Sequence, residues 1–401
     1  MPRSDLLQRL AAQTTERERA RLLRRLRTID HVDGPWLETG GRRLLSFCSN
    51  DYLGLAQHPR LIAALTRAAR EDGVGSTSAH LICGHRSVHA ELEEALAVWT
   101  GRERALLFST GYMANLGVLQ ALLSRGDICV QDKLNHACLL DGAKLGGAEL
   151  KRYPHGDVGA AARQLASNPT AAALLATDGV FSMDGDVAPL HELAQLCARE
   201  QATLMVDDAH GFGVLGADGA GSVSAAGLSQ HDVPLLMATL GKALGCSGAF
   251  VAGPAALIDG LIQFARPYIY TTAMPPALAA AALEAVRVAQ VEAWRRARLA
   301  ALISRFRRGA EQLGLPLAAS GSAIQPLLLG SADAALVAAQ TLERQGLLVT
   351  AIRPPTVPAG QARLRITLSA AHEEAHVDRL LDALETLRLA ASAQAAPGDP
   401  V

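Results

Sequence analysis

The chain has 401 residues, more than one ordinary hydrophobic core accommodates, so we expect a large domain packed against a smaller one. Because 38 lysines and arginines nearly balance 39 aspartates and glutamates, the chain offers no broad basic surface for nucleic acid or anionic lipid. The composition therefore favours small-molecule ligands, and neither nucleic acid nor membrane is expected as a partner.

An arginine-rich segment opens the sequence. Eight arginines fall within the first 27 residues, but Glu16 and Glu18 interrupt them, and no apolar run typical of a secretory signal follows. We predict an N-terminal helical segment over residues 1–46 in a cytoplasmic protein. The alanine-rich run at residues 276–286 is too short to cross a bilayer, which takes about 20 apolar residues.

Short apolar runs alternate with helical stretches across residues 47–290. This βαβ alternation predicts a large α/β domain, in which helices flank a mostly parallel central sheet. The predicted strands are residues 105–108, 128–130, 172–177, 203–206, 235–238 and 249–252.

A smaller α+β C-terminal domain is predicted over residues 291–389. Pro275 and Pro276 open a long helical pattern that reaches about Arg308 and leads out of the large domain. The Ala/Pro/Gly-rich residues 390–401 are predicted to form a disordered tail. The strands expected in this domain are residues 324–329, 347–352 and 364–368.

The six cysteines form no pattern that predicts a metal site. None pairs in a Cys-x-x-Cys motif, and none has the histidine spacing of a zinc site. We expect mostly buried thiols in a reducing compartment, and no metal. The six are Cys48, Cys83, Cys129, Cys138, Cys197 and Cys246.

A glycine motif suggests a dinucleotide site, but its surroundings argue against one. Gly211, Gly213 and Gly216 match G-x-G-x-x-G after a predicted strand. Residues 217–222 are too glycine-rich to form the helix whose N-terminus would hold a pyrophosphate. We therefore expect a turn, and a nicotinamide-dependent oxidoreductase is kept as an alternative.

Polar residues follow several predicted strands, at the positions where open α/β sheets bind their ligands. Gly111 leads into a helix start whose free N–H groups suit a phosphate. His136 follows the next strand and could lie flat against an aromatic cofactor ring, although a histidine in a loop is more often structural.

Two further strand ends carry opposite charges. Because successive strand residues face opposite sides, only one of Asp207 and Asp208 can point at a ligand, and Asp207 is the better candidate. A carboxylate about 4 Å from a pyridinium nitrogen contributes about 4 kcal/mol at an effective dielectric of about 20, which keeps the ring protonated. Lys242 lies in apolar, glycine-flanked sequence, as a Schiff-base lysine requires. The alternatives are a carboxylate that caps a turn and a lysine that is solvated.

The chain resembles the α-oxoamine synthases, fold-type I pyridoxal-phosphate (PLP) enzymes that condense an amino acid with an acyl thioester and lose CO2. The resemblance covers about residues 24–387. It is sharpest at residues 350–360, where the chain is most similar to members that use L-alanine and a pimeloyl thioester, on CoA or acyl carrier protein, in biotin biosynthesis. The shared motifs are Ser49-Asn-Asp-Tyr-Leu-Gly54, Gly179-Val-Phe-Ser-Met-Asp-Gly185, Val206-Asp-Asp-Ala-His-Gly211 and Thr239-Leu-Gly-Lys242.

The resemblance implies a role for each matching residue. Lys242 holds pyridoxal 5′-phosphate as a Schiff base, His136 stacks on the ring, and Asp207 contacts the ring nitrogen. Contacts to the cofactor are implied for Gly111, Tyr112, Ser182, His210, Thr239 and, from the partner in a homodimer, Thr271. Contacts to substrate are implied for Arg24, His136, Thr356 and, with the amino-acid carboxylate, Arg365.

The sequence departs from the family pattern at two positions. His80 stands in a stretch that more often carries a basic residue, and it stays unassigned. Tyr112 stands where phenylalanine is common. Besides the oxidoreductase, two alternatives remain open: a synthase that uses glycine with acetyl-CoA, and a PLP-fold protein without catalysis.

Overall fold

The computed structural model describes residues 3, 5–20 and 22–395. Its strands are β1 (His31–Asp33), β2 (Trp36–Thr39), β3 (Arg42–Ser46), β4 (Arg104–Phe108), β5 (Ile128–Asp132), β6 (Glu149–Tyr153), β7 (Ala173–Asp178), β8 (Thr203–Asp207), β9 (Leu235–Thr239), β10 (Ala249–Gly253), β11 (Ile324–Gly330), β12 (Leu347–Leu348), β13 (Thr350–Ile352) and β14 (Ala362–Thr367). Its helices are α1 (Leu6–Arg19), α2 (Pro59–Asp72), α3 (Ser87–Thr100), α4 (Gly111–Leu122), α5 (Ala137–Gly146), α6 (Val158–Ala166), α7 (Leu190–Glu200), α8 (Ser222–Ala225), α9 (Ala255–Phe264), α10 (Arg266–Ile269), α11 (Pro276–Val291), α12 (Trp294–Gln312), α13 (Ala332–Arg344) and α14 (Glu374–Ala395), and a π-helical turn spans His80–Gly84.

A seven-stranded sheet organises the large domain in the order β4-β10-β9-β8-β7-β5-β6. The strands β9, β8, β7, β5 and β6 run parallel, and β10 is antiparallel to both β9 and β4. This confirms the predicted α/β class and its mostly parallel sheet. The six predicted strands are all present, whereas β6 was missed because its sequence is Glu-Leu-Lys-Arg-Tyr, without an apolar run.

Alternate residues of the strands pack against helices on opposite faces of the sheet. Leu106 and Phe108 of β4 share a core with α4, α5 and α9. Ala105 and Leu107 share the other core with α3 and α11. Burial on both faces explains why these strands are continuous apolar runs rather than alternating ones.

The register of the sheet brings the functional strand ends to one edge. Ala249 of β10 lies opposite both Phe108 and Thr239. The strands β4 and β9 therefore run in the same direction and end at the same level on either side of β10. Asp178 at the end of β7 lies opposite Asp207 at the end of β8. The segments after β4, β5, β7, β8 and β9 therefore meet at the carboxyl edge of the sheet.

The C-terminal part is built on an antiparallel sheet in the order β11-β14-β13, with α12, α13 and α14 packed nearby. Residues 347–352, predicted as one strand, instead form two. The first, β12, pairs in parallel with β3 near the N-terminus, and β13 pairs with β14. The predicted long helix likewise divides into α11 and α12, with a break at Glu292 and Ala293.

Two terminal predictions need correction. Residues 31–46, predicted within a helical segment, form the antiparallel meander β1-β2-β3, because a Gly34 turn and a Gly40-Gly41 turn reverse the chain. Residues 390–395, predicted as disordered, continue α14, while residues 396–401 lie outside the described residues. Within the described residues no helix combines the length and apolar character of a membrane span. The domain boundaries at 47, 291 and 390 stay predictions.

Candidate active site

A cavity of about 170 Å³ opens at the carboxyl edge of the large sheet. Eight residues predicted from the sequence line it, and so do five that were not predicted as site residues. The predicted residues are Gly111, Tyr112, His136, Ser182, Asp207, His210, Thr239 and Lys242. The others are Cys138, Asp178, Val180, Ala209 and Met237.

The N-terminus of α4 forms one end of this cavity. Thr110 caps the helix, and its hydroxyl oxygen accepts the N–H of Met113 at 3.1 Å. The N–H groups of Gly111 and Tyr112 have no acceptor within a helix, so they and the helix dipole suit an anion such as phosphate. A Cβ on Gly111 would meet no atom closer than 3.7 Å, so protein packing alone does not require glycine there.

Asp207 is a buried carboxylate that ends β8. Its side chain is 6% exposed, its Oδ2 accepts the Asn115 amide N–H at 2.7 Å, and its Oδ1 accepts the N–H of Ala209 at 3.1 Å. Two donors stabilise the ionised form of a carboxylate. Asp207 can therefore stay charged while it faces the cavity.

Lys242 lies in the turn that follows β9. The turn is closed by the N–H of Gly245, which donates to the carbonyl of Lys242 at 2.9 Å. Gly245 has a φ of +64°, and a Cβ there would lie 2.3 Å from the backbone nitrogen of Ala56, so only glycine fits. Burial lowers the pKa of Lys242, while Asp207 and Asp178 act in the opposite direction.

His136 stands at the N-cap of α5, on the rim of the cavity. Its Nδ1 accepts the N–H of Cys138 at 3.4 Å and lies 2.8 Å from the Cys138 sulfur. Its own N–H donates to both oxygens of Asp178 at 3.2 Å. The backbone and the Nδ1 edge of the imidazole ring are thus fixed by neighbours.

His210 is held from behind by Tyr52. The Tyr52 hydroxyl lies 2.6 Å from Nδ1 of His210 and 3.2 Å from Oδ1 of Asn50. Burial lowers the pKa of His210 well below its ordinary value, and burial raises the pKa of Tyr52 to about 12. The Tyr52 hydroxyl has one proton to donate to either acceptor, and the His210 contact is the shorter. When Tyr52 donates to Nδ1, a neutral His210 carries its own proton on Nε2, which suits donation to a phenolic oxygen.

Arg365 lies on β14 and is 8% exposed. Its guanidinium donates to the carbonyl of Ser182 at 2.7 Å, to Thr367 at 3.1 Å and to Asn50 at 3.3 and 3.4 Å. In the described part of the chain it forms no ion pair. A buried cation whose partners are all neutral oxygens is suited to an anionic ligand.

Four predicted site residues do not line this cavity: Arg365 contacts it through Ser182, and Arg24, Thr356 and Thr271 lie away from it. Arg24 and Thr356 meet in a second cavity of about 260 Å³, which Arg17 and Arg353 also line. Thr271 lies between α10 and α11 and does not line either cavity within the one chain. His80 packs against Tyr268 and contacts His85 and His89, so its surroundings are a histidine cluster.

The glycine motif forms a turn around Asp208, as the sequence suggested. Asp208 is fully buried, and its Oδ2 accepts the N–H of Ser222 at 2.7 Å. A Cβ on Gly211 or on Gly221 would lie 2.2 or 1.9 Å from its carboxylate oxygens. The glycines therefore make room for a buried aspartate, and the turn of α8 is too short to hold a pyrophosphate.

Several functional neighbours were not assigned from the sequence. Asp178 ends β7 as Asp207 ends β8, and this shared position at a strand end could have identified Asp178 as a site residue. Asn50 and Tyr52 lie within a quoted motif, and Asn115 lies four residues after Gly111. Their partners are up to 315 residues away in the chain, so no local pattern reveals them.

The residues that line the cavity at the carboxyl edge of the sheet fit pyridoxal 5′-phosphate. A helix N-terminus stands ready for the phosphate, the charged Asp207 for a ring nitrogen, and Lys242 for the aldehyde carbon. The hydroxyl of Thr239 donates to the Gly248 carbonyl at 3.0 Å and accepts the N–H of Gly241 at 3.1 Å, so it would have to turn from that carbonyl to donate to a phosphate.

Comparison with known proteins supports this interpretation. The family model for aminotransferase class I and II matches residues 42–384. The 8-amino-7-oxononanoate synthase of Cellvibrio japonicus (strain Ueda107) is 56% identical over 381 residues, which are 95% of this chain and 96% of that protein. The 8-amino-7-oxononanoate synthase of Pseudomonas syringae pv. tomato (strain DC3000) is 57% identical over 381 residues, 95% of each chain.

Solved structures agree with the fold. A serine palmitoyltransferase from S. paucimobilis with a bound PLP–myriocin aldimine has a TM-score of 0.92 at 29% identity and covers 97% of this chain and 100% of its own. The 8-amino-7-oxononanoate synthase of Francisella tularensis has a TM-score of 0.76 at 31% identity and covers 87% of this chain and 99% of its own. The predicted PLP fold and the predicted family are thereby confirmed.

Proposed function

We propose, from the premise that this chain belongs to the class I and II aminotransferases and within them to the 8-amino-7-oxononanoate synthases, that Lys242 binds the cofactor and serves as the catalytic base. The chain is a PLP-dependent acyltransferase of biotin biosynthesis. Its proposed reaction condenses L-alanine with a pimeloyl thioester and releases 8-amino-7-oxononanoate and CO2.

The position of Lys242 is the observation that carries this proposal. The chain contains only four lysines, and Lys242 is the one that lines the cavity at the carboxyl edge of the sheet. Lys133 and Lys144 are exposed, and Lys151 donates to Ser167 at 2.6 Å. Burial favours the neutral amine of Lys242, the form that reacts with an aldehyde and accepts a proton.

The residues around the cavity divide the chemistry among them. When bound, PLP withdraws electrons from the substrate Cα. Lys242 takes the Cα proton as a neutral amine and returns a proton after CO2 is lost. Asp207 keeps a proton on the ring nitrogen, and His136 covers one face of the ring and excludes water there.

Arg365 and His210 orient the reacting groups. The Arg365 guanidinium can turn the two N–H groups that make long contacts with Asn50, at 3.3 and 3.4 Å, to the carboxylate of alanine, which fixes the Cα position. His210 donates from Nε2 to the phenolic oxygen of the cofactor, and Tyr52 fixes its tautomer.

The second cavity is proposed to take part of the acyl substrate. Arg17, Arg24, Arg353 and Thr356 line it, and three arginines near a hydroxyl suit an anionic or polar end of the pimeloyl thioester. Both pimeloyl-CoA and pimeloyl-acyl carrier protein contain that acyl group. A homodimer in which Thr271 reaches the partner's cofactor phosphate, and a cytoplasmic location, complete the proposal.

An amino-acid panel tests the substrate assignment. The purified holoenzyme is incubated with pimeloyl-CoA and with L-alanine, glycine or L-serine in turn, and product and CO2 are quantified together. We expect equimolar 8-amino-7-oxononanoate and CO2 with alanine, at the highest kcat/KM of the three. Preference for glycine with acetyl-CoA would identify a different oxoamine synthase, and CO2 release with none of them would refute the condensation.

A further inference from the structure

A second carboxylate, Asp178, faces the cavity beside Asp207. The two residues are paired in register on the adjacent parallel strands β7 and β8, so their side chains lie on the same face with their backbones about 4.8 Å apart. Asp178 is 3% exposed and Asp207 is 6% exposed, and both line the cavity. Two buried carboxylates on neighbouring strand positions cannot both ionise without strong mutual repulsion.

The hydrogen-bond donors around the pair favour a charge on Asp207. Each Asp207 oxygen accepts its own N–H, from the Asn115 amide at 2.7 Å and from Ala209 at 3.1 Å. The two Asp178 oxygens share the single N–H of His136, at 3.2 Å each. Because more and shorter donors stabilise an anion better, the proton of the pair belongs on Asp178.

The groups that face Asp178 from its neighbours give the same balance. Asp207 on β8 and Asp132 at the end of β5 disfavour its charge, whereas Lys242 after β9 and the His136 N–H favour it. Cys138 on α5 and Tyr153 on β6 also lie near it. The pKa of Asp178 is raised well above its ordinary value, with burial as the largest cause and Asp207 as the next.

Asp178 also fixes the position of His136. The N–H of His136 has no acceptor within α5, because His136 is the N-cap, and Asp178 supplies one. The N-cap backbone sets where the imidazole ring stands on the cavity rim. Loss of this acceptor would release the ring proposed to cover the cofactor.

We infer that Asp178 is a positioning residue that works as a neutral carboxylic acid: it anchors the backbone of His136 and leaves the one negative charge of the pair on Asp207. This inference rests on the proposed binding of PLP to Lys242. It assigns a neutral state to Asp178 and a negative charge to Asp207, although the two aspartates lie at equivalent strand ends.

The test compares Asp178→Asn with Asp178→Ala in the PLP holoenzyme. Asparagine retains an oxygen for the His136 N–H and resembles a protonated carboxyl, so D178N should keep kcat close to wild type. D178A loses the anchor, and we expect its kcat to fall by about 10- to 100-fold, since small displacements of a positioned group have effects of this size. Circular dichroism confirms that both variants fold.

A spectrophotometric pH titration of the Lys242 Schiff base, without amino acid or thioester, reads the charge state directly. We expect the same Schiff-base pKa in D178N as in wild type. If Asp178 is ionised, removal of its charge near Lys242 lowers that pKa by about one to three units, and this result would overturn the inference. A wrong substrate assignment leaves the titration unaffected, so the two failures are distinguishable.

Cofactor-free protein provides a readout that does not depend on PLP. A carboxyl that stays protonated in the folded state but ionises in the unfolded state makes stability fall as pH rises above about 4. Wild type should therefore lose more thermal stability than D178N between pH about 5 and about 8. Equal losses in the two proteins would contradict a protonated Asp178.

Discussion

The surroundings of Arg365 indicate the charge of the ligand that this side chain can bind. The guanidinium is 8% exposed, and its described partners are the neutral oxygens of Ser182, Asn50 and Thr367. A buried cation normally pairs with an anion. The carboxylate of the amino-acid substrate is the anion that the proposed reaction provides.

Arg365→Lys should weaken that interaction. Lysine presents a point charge instead of two parallel N–H groups and cannot keep the bonds to Ser182 and Thr367 together with a bidentate carboxylate. We expect the KM for alanine to rise by about 10- to 100-fold, with the Schiff-base absorbance unchanged. Arg287→Lys, at an exposed pair with Glu284, is the matched control. An unchanged KM in R365K would remove Arg365 from the substrate site.

Residues that line a common cavity were predictable from the sequence where they directly follow a strand end. Gly111, His136, Asp207 and Lys242 follow four different strands, and the parallel sheet brings them to one cavity. Partners that come from distant parts of the chain were not predicted. Asn115 and Tyr52 are examples, because helix packing and long loops decide which atoms they contact.

At the scale of elements, the loop after β8 depends on space around one buried carboxylate. Gly221 has a φ of +105°, and a Cβ there would lie 1.9 Å from Oδ2 of Asp208. The loop carries His210 at its start. The position of His210, a proposed cofactor contact, therefore depends on glycines that do not line the cavity.

Gly221→Ala should destabilise the protein. The added methyl group combines backbone strain with a collision at a fully buried side chain, and we expect a loss of about 3 kcal/mol in the free energy of unfolding. Gly227→Ala is the control, since its φ is +67° but no atom lies within 4 Å, and it should lose about 1 kcal/mol. Urea unfolding measures both, and equal losses would refute the role of Asp208.

A second element-scale contact is a histidine clamp. His155, after β6, lies 3.1 Å from Asp132 at the end of β5 and 2.8 Å from Asp186 in the loop after β7. These two carboxylates raise the pKa of His155 to about 10. The clamp holds the loop after β7, which carries Ser182, against the end of β5.

This clamp predicts a pH dependence of stability. Because the folded-state pKa lies above the unfolded value, its stabilisation is complete below pH about 6.5 and disappears as pH rises through about 10. Wild type should unfold at a higher temperature than His155→Gln at pH about 7, and the difference should shrink by pH about 10. A constant difference between the two melting temperatures across that range would contradict the charged clamp.

Element predictions depended on how strongly a segment is buried. Strands buried on both faces, such as β5 and β8, are apolar runs that the sequence reveals. The polar edge strand β6 is not revealed in this way. Residues 347–352 were predicted as one strand, and their division into β12 and β13 was not predicted, because pairing with two different distant strands defines it. The break between α11 and α12 has no proline or glycine to signal it.

At the scale of the whole molecule, the segment that carries Thr271 lies near several exposed apolar side chains. Val74 is 86% exposed, Ile82 is 79% exposed and Tyr270 is 72% exposed. The segments of Val74 and Tyr270 are connected, because the Ala273 N–H donates to Ser78 at 2.9 Å. Contact with a second copy of the chain would cover these side chains and bring Thr271 towards the partner's cofactor.

Multi-angle light scattering tests this arrangement. One chain has a mass of 42.0 kDa, and we expect the protein to elute with twice that mass. Ile82→Glu should shift the population toward monomer, since a charge at the centre of an apolar contact is costly. Val98→Glu, at an exposed position on α3, is the control. A wild-type monomer with full activity would refute a shared active site.

Borohydride reduction followed by peptide mapping tests the central assignment most directly. Reduction converts a Schiff base into a stable secondary amine, and the chain has only four lysines that could form one. The account predicts a phosphopyridoxyl group on the peptide that contains Lys242, and none on Lys133, Lys144 or Lys151. Labelling of any of those three instead of Lys242 would contradict it.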